Sequence, residues 1–281
     1  MGTPQTAALV KKVLEGSDHL PGLPRLVHEV RATIAHPDVT VPKVATLIRN
    51  DPGLTALLFK YAASPIYRTR IPATTLESVI SQLGFHAVSN IVLLHSVRGA
   101  FFAKSAHLRT LYTLAWKRVI TKAGLACFLG RRFSLSADDL LVRGLLSDVG
   151  SLALLAAFKG AEHPPDPEIF LHLCREYSKP VSVIVLTKWC IERAVIEAVA
   201  RTGNWHKAKP GAIDEIDVMN LALYHSLLWT ETNPQLPQLP NLALYAKLPD
   251  ELKPIGTDQG LSFLTDHHAQ IDAIIQSLNT E

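Results

Sequence analysis

Residues Gly144–Phe158 read GLLSDVGSLALLAAF, an apolar run in which Asp148 is the only charged side chain. Leu145, Leu146 and Val149 surround it, and Ser136 with the acids Asp138 and Asp139 forms an N-terminal cap upstream. The pattern predicts a helix that carries a carboxylate on a largely apolar surface. Such a group is costly near a core unless it is paired and hydrogen-bonded. Asp148 is therefore either a metal ligand or a polar residue that needs a partner, and the choice decides whether the chain is read as an enzyme.

Helical signals extend on both sides. In LPRLVHEVRATIAH, Leu26, Val27, Val30 and Ile34 recur at helical spacing, with Pro24 suited to a first turn. Asp51 and Pro52 form a cap and first-turn pair that opens DPGLTALLFKYAA. Thr74 or Thr75 starts TLESVISQLG, which Gly84 ends. FHAVSNIVLLHSVRGAFF and LRTLYTLAWKRVITKAGLACFLGRRF follow. On the second, Trp116, Ile120, Ala123 and Cys127 form one stripe, and Lys117, Thr121 and Lys122 another. After the breaker HPPDP, further helices are expected over IFLHLCREY, VSVIVLTKW, RAVIEAVAR and EIDVMNLALYHSLLW, and a last one over LSFLTDHHAQIDAIIQSL. The runs VSVIV and LPGLP lack strand partners, so the fold class is all-α. The expected organisation is an N-terminal helical lobe over 1–105, a second lobe over 106–232, and a Pro-rich connection with a terminal helix over 233–281. The two lobes are expected to form one body.

Composition narrows the function classes. The 281 residues are 48% hydrophobic and carry a net charge of +3, enough apolar matter for a sizeable core and too small an excess to argue for nucleic acid or an anionic membrane. Cys127, Cys174 and Cys190 are odd in number and far apart, which suits buried thiols in a reducing compartment. The N-terminus lacks a signal-peptide pattern, and no window holds about eighteen uninterrupted apolar residues. A cytoplasmic protein with no membrane partner is expected.

No Gly-x-Ser-x-Gly elbow, no cysteine with a nearby His and no phosphate-binding glycine loop is present. Of the 12 histidines, no two stand three or four apart, the spacing at which helical side chains share an ion. His267 and His268 are adjacent and point about 100° apart. His172 and Glu176 share a face and are read as an exposed polar pair. His28, His86, His95 and His225 lie in apolar helices and are read as core or boundary histidines.

The segments LPGLPRLVHEV, IRNDPGLTALLFKYAASPIYR and TTLESVISQLGFHAVSNIVL, followed by AWKRVITKAGLACFLG and RGLLSDVGSLALL, resemble the HDOD family of HD-related output domains in bacterial signalling proteins. The resemblance spans roughly residues 18–230. It implies an all-helical, two-lobed fold whose C-terminal lobe is related to HD-type metal phosphohydrolases. In those enzymes an early His, a His-Asp pair and a later Asp hold a divalent ion that activates water. By this resemblance Asp148 stands at the Asp of the pair, Ser147 at its His, and Arg118 at the early His. YSKPVSVIVLTKW and VARTGNW also lack histidine where relatives often carry it. Ala63 and Ser64 replace a frequent Asn-Ser.

An Arg cannot ligate a cation and a lone carboxylate cannot hold one. The resemblance therefore implies a vestigial site at Arg118, Ser147 and Asp148, with no metal, cofactor or catalytic residue. Arg118 and Asp148 are expected to pair, the alternative being that Asp148 only caps a helix start or hydrogen-bonds locally there. Three functions remain in view. The first is a non-catalytic module contacting signalling proteins such as receivers, kinases or cyclic-dinucleotide enzymes. The second is a metal-dependent phosphohydrolase. The third is a nucleotide sensor using the old cleft, with Lys117, Arg118 and Lys122 as phosphate contacts. The segment Asn233–Pro240 and the aromatics Tyr67 and Trp205 are candidate partner surfaces.

Overall fold

The computed structural model describes residues 22–64, 67–101, 106–159, 164–231 and 234–279. Among these, secondary structure is helical apart from one isolated bridge between Ile255 and Leu261, so the chain is all-α. The described residues divide into two compact units, one holding 22–101 with 276–279 and the other 106–275.

The first unit contains α1 (Arg25–Ala35), α2 (Val41–Ile48), α3 (Pro52–Ala63) and α4 (Leu76–Phe101). The Asp51 carboxylate accepts the Leu54 N–H at 2.9 Å and fixes the start of α3, as the Asp-Pro pair predicts. Thr75 and Ser78 cap α4 reciprocally: the Ser78 N–H donates to Thr75 Oγ1 at 3.1 Å and the Thr75 N–H to Ser78 Oγ at 3.0 Å. The first stretch of α4 ends where expected, at Gly84 (φ 79°), a left-handed conformation that glycine adopts without penalty. Helix resumes directly beyond it. Val27, Val30, Val44, Ile48, Leu54, Leu58, Val79 and Ile80 are fully buried and form the core. Tyr67 is half-buried and lies against Tyr61, with ring centroids 6.5 Å apart.

The second unit is organised around α5 (Ala106–Arg132), which packs on α6 (Ala137–Leu146), α7 (Val149–Ala157), α8 (Pro167–Lys188) and α10 (Glu215–Thr230), with α9 (Arg193–Arg201) beside α8. Enclosed on several sides, α5 has no exposed residue from 118 to 130. Thr121 and Lys122, expected on a polar stripe, are consequently buried with Val119, Ile120 and Ala123. The packing depends on glycines. A Cβ at Gly144 would lie 2.6 Å from Ala123 Cα, and one at Gly150 would lie 2.0 Å from the Ser178 carbonyl oxygen.

Three expectations are corrected here. The run Gly144–Phe158 is not one helix: α6 ends at Leu146 and α7 begins at Val149, with Asp148 at φ −126°, ψ 14° between them. Conversely, IFLHLCREY and VSVIVLTKW are parts of one helix, α8, which continues through Pro180. Proline removes one helical hydrogen bond, and burial of Phe170, Cys174, Val181 and Val185 along one stripe outweighs that loss. Cys190 is exposed with φ 52°, whereas Cys127 and Cys174 are buried as expected.

Beyond α10 the chain over 234–275 belongs to this unit, burying Leu239, Leu242, Leu244, Leu248 and Leu252. Tyr224 Oη donates to the Pro237 carbonyl at 3.0 Å, and the Ala243 N–H donates to the Trp205 carbonyl at 2.9 Å. Lys247 pairs with Asp217, a buried member of the capping box that opens α10. The short α11 (Ser262–Asp266) and α12 (His268–Leu278) follow.

Candidate functional site

The break between α6 and α7 places Asp148 at a helix start, yet its carboxylate bonds no backbone N–H there. One oxygen, Oδ1, accepts hydrogen bonds from the hydroxyls of Ser151, at 3.0 Å, and Ser178. The other, Oδ2, lies 3.4 Å from Arg118 Nε and 3.8 Å from Lys122 Nζ. Of the two expected roles, the structure holds the ion pair with Arg118 together with a local side-chain bond from Ser151, and lacks a backbone cap. Arg118 also donates to Glu231, at the C-terminal end of α10, and Arg175 Nη1 stands 3.3 Å from the second Glu231 oxygen. Lys122, Asp148, Arg118, Glu231 and Arg175 thus form a chain of alternating charges. Asp148, Lys122 and Arg118 are 3%, 2% and 5% exposed, so little water screens them.

Local sequence explains each placement. Arg118 and Lys122 are four apart on α5 and share a face. Ser151 follows Asp148 by one turn, and Ser178 comes from α8 at the point where Gly150 lets the two helices touch. There the Gly150 N–H donates to Ser182 Oγ at 2.8 Å, and Ser182 Oγ donates to the Ser147 carbonyl at 3.3 Å. Ser147 turns its own hydroxyl back to the Gly144 carbonyl at 2.9 Å.

Burial raises the Asp148 pKa, but Lys122, Arg118 and the Ser178 and Ser151 hydroxyls together hold it below the ordinary carboxylate value. Burial, with a smaller contribution from Arg118, lowers Lys122 to about 8 despite the opposing pull of Asp148. Cys174 beside them is pushed up to about 12, chiefly by burial, and is an inert thiol.

A cavity of about 260 Å³ opens against this cluster. Arg118, Lys122, Asp148, Ser147 and Ser178 line its polar side, with Arg175 and Lys179 beside them. Val199, Leu223, Leu227, Leu236 and Trp205 supply an apolar side. The Trp205 ring stands edge-on to Tyr224 at 6.0 Å. Lys117 does not belong here: it is exposed and does not line the cavity. It neighbours Arg118 in sequence and is therefore rotated about 100° away from it, whereas Lys122 is one turn on.

The residues present do not suit a divalent ion. Among the described residues no group of three His, Cys, Asp or Glu side chains converges. Both Asp148 oxygens are engaged by hydroxyls and cations, and a guanidinium occupies the remaining approach. The histidines lie elsewhere. His225 is buried, with Nε2 accepting from the Leu261 N–H at 2.9 Å and Nδ1 therefore donating to the Leu221 carbonyl at 2.9 Å. That is the core histidine its apolar helix predicts. His95 sits at the boundary, 3.2 Å from Asp51, but His28 and His86 are exposed rather than buried. His172 and Glu176 form an exposed pair 3.7 Å apart. His267 is 2.7 Å from the Phe263 carbonyl and His268 is 3.0 Å from Asp272. Sequence reasoning missed Glu231, Arg175, Ser151 and Ser178. Only the one-turn spacing of Ser151 from Asp148 carried a local signal.

The fold and site define a class: an all-helical protein of HD-like fold with a buried ion cluster beside a cavity. The family model of the HDOD domain matches residues 20–204; the chain belongs to the HDOD family. Solved structures share the fold. One, from Shewanella amazonensis and provisionally named a metal-dependent phosphohydrolase, is 21% identical, with 98% of each chain covered and a TM-score of 0.75. An HDOD domain protein of unknown function from Geobacter sulfurreducens is 18% identical, with 99% of each covered and a TM-score of 0.64. A third, from Marinobacter aquaeolei and provisionally named a signal transduction protein, is 17% identical, covering 98% of this chain and 66% of that one, with a TM-score of 0.63. None of the curated proteins matches the chain.

Proposed function

We propose that this HDOD protein is a non-catalytic signal-transduction module, cytoplasmic, that acts through contacts with signalling proteins such as receivers, kinases or cyclic-dinucleotide enzymes. One observation carries the non-catalytic part: Arg118 is ion-paired with Asp148 at 3.4 Å, a permanent cation held against the carboxylate that the resemblance sets at the Asp of an HD pair. An arginine there repels a divalent ion and cannot be deprotonated to become a ligand. Family membership supports the signalling part.

The rival reading is a metal-dependent phosphohydrolase. Metal analysis of the purified chain, joined to a bis(p-nitrophenyl) phosphate assay with added Mn²⁺, separates the two. The expected result is substoichiometric metal and no hydrolysis above background. Stoichiometric Mn, Fe or Zn together with turnover would sink the proposal.

A further inference from the structure

We infer that the cavity beside Asp148 binds a phosphate monoester, with its phosphate on Lys122 and its organic part against Trp205. The inference goes beyond the reading above, since it concerns what enters the module and not what the module contacts. Four cations line the cavity, Arg118, Lys122, Arg175 and Lys179. Two carboxylates oppose them, Asp148 on the lining and Glu231 behind it. Taking four positive and two negative charges leaves a surplus of two, the charge of a phosphate monoester near neutral pH.

Lys122 is the decisive residue. Its ammonium is buried, faces the cavity, and donates no hydrogen bond among the described residues; the nearest acidic oxygen is 3.8 Å away. A buried cation with unmade donors is costly, and a phosphate oxygen supplies both the acceptor and the charge it lacks. Asp148 does not repel the ligand strongly, because its own charge is already met by Arg118 and two hydroxyls. Burial holds Lys122 near 8, a perturbation of the kind that accompanies binding sites. At about 30 Å³ per water, 260 Å³ holds on the order of nine waters. That suits a phosphate with one ring and falls short of enclosing a dinucleotide. The apolar side, with Trp205 and Leu227, receives the ring.

Thermal shift and calorimetry on the full chain test this, with phenyl phosphate, inorganic phosphate and a cyclic dinucleotide as probes. Phenyl phosphate at ten times its Kd is expected to raise Tm by roughly 2–4 °C, and inorganic phosphate binds more weakly. Lys122→Met should reduce affinity at least tenfold, and Lys179→Met, on the exposed wall, should weaken it in the same direction without disturbing the buried cluster. Lys117→Met, outside the cavity, should bind as the parent does. Absence of stabilisation by phenyl phosphate, or retention of affinity in both Lys122→Met and Lys179→Met, overturns the site. So does equal loss in Lys117→Met, and a cyclic dinucleotide binding tighter than phenyl phosphate overturns the one-ring assignment.

Discussion

Asp148 draws two cations from α5 and two hydroxyls, one from its own helix and one from α8, onto a single carboxylate. Removing it leaves Arg118 and Lys122 buried without that counter-charge, a loss that typically costs about 3–5 kcal/mol. Asp148→Ala is therefore expected to lower the unfolding free energy by about that amount in urea titration. Adding Lys122→Met should recover part of the loss, since the pair is coupled and the effects are not additive. The Arg118–Asp148 pair was readable in the sequence because two motif positions of the resemblance carried opposite charges. Lys122 was readable as a cation but was grouped with Lys117, since a helix does not announce which of its own faces is enclosed. Ser178 and Glu231 were not readable: they reach the site from helices remote in sequence, and only the packing of α8 and α10 delivers them.

Helix ends were the most readable elements, because caps are local chemistry. Asp51 and Ser136 accept the backbone N–H groups their positions predict, and Gly84 takes the left-handed conformation. Two boundaries escaped for opposite reasons. Pro180 signals a break, yet tertiary burial on both sides of it keeps α8 continuous. The real break at Ser147 and Asp148 has no proline between two Leu-rich runs. At this scale the α7–α8 contact is the most sensitive feature. Gly150→Ala puts a methyl 2.0 Å from the Ser178 carbonyl oxygen, which backbone cannot yield cheaply. The helices must separate, taking Ser178 away from Asp148. The variant is expected to lose several kcal/mol of stability, on the order of the larger single-site effects, and circular dichroism melting should show a Tm drop well beyond that of an alanine placed at exposed Gly99.

Over the whole molecule, absence of strand alternation and the abundance of helical spacing gave the fold class directly, whereas the division of the chain depends on long-range contacts that no local pattern encodes. Global stability carries a pH signature from His225. Burial lowers its pKa to about 4, with the Leu221 carbonyl bond and Asp258 opposing. The unfolded chain, with an ordinary value near 6.5, binds the proton first. Stability from this residue is therefore complete above about pH 6.5 and lost as pH falls toward 4, on the order of 3 kcal/mol in all. Asp148, held low, adds its own loss as pH falls through the ordinary carboxylate range and below it. Urea unfolding across pH 4–7 should show this slope, and His225→Leu should flatten it; an unchanged slope in the variant would remove His225 from the account.

The helix break at Asp148 also bears on how the chain is made. Ala137–Ala157 is apolar and long enough to be taken for a membrane segment as it leaves the ribosome, though most of it is interior in the fold. Asp148 sits near its middle, where a charge raises the free energy of insertion by about 2.5–3.5 kcal/mol. The carboxylate that anchors the ion cluster in the finished protein thus also weighs against the insertion machinery while the chain is still unfolded.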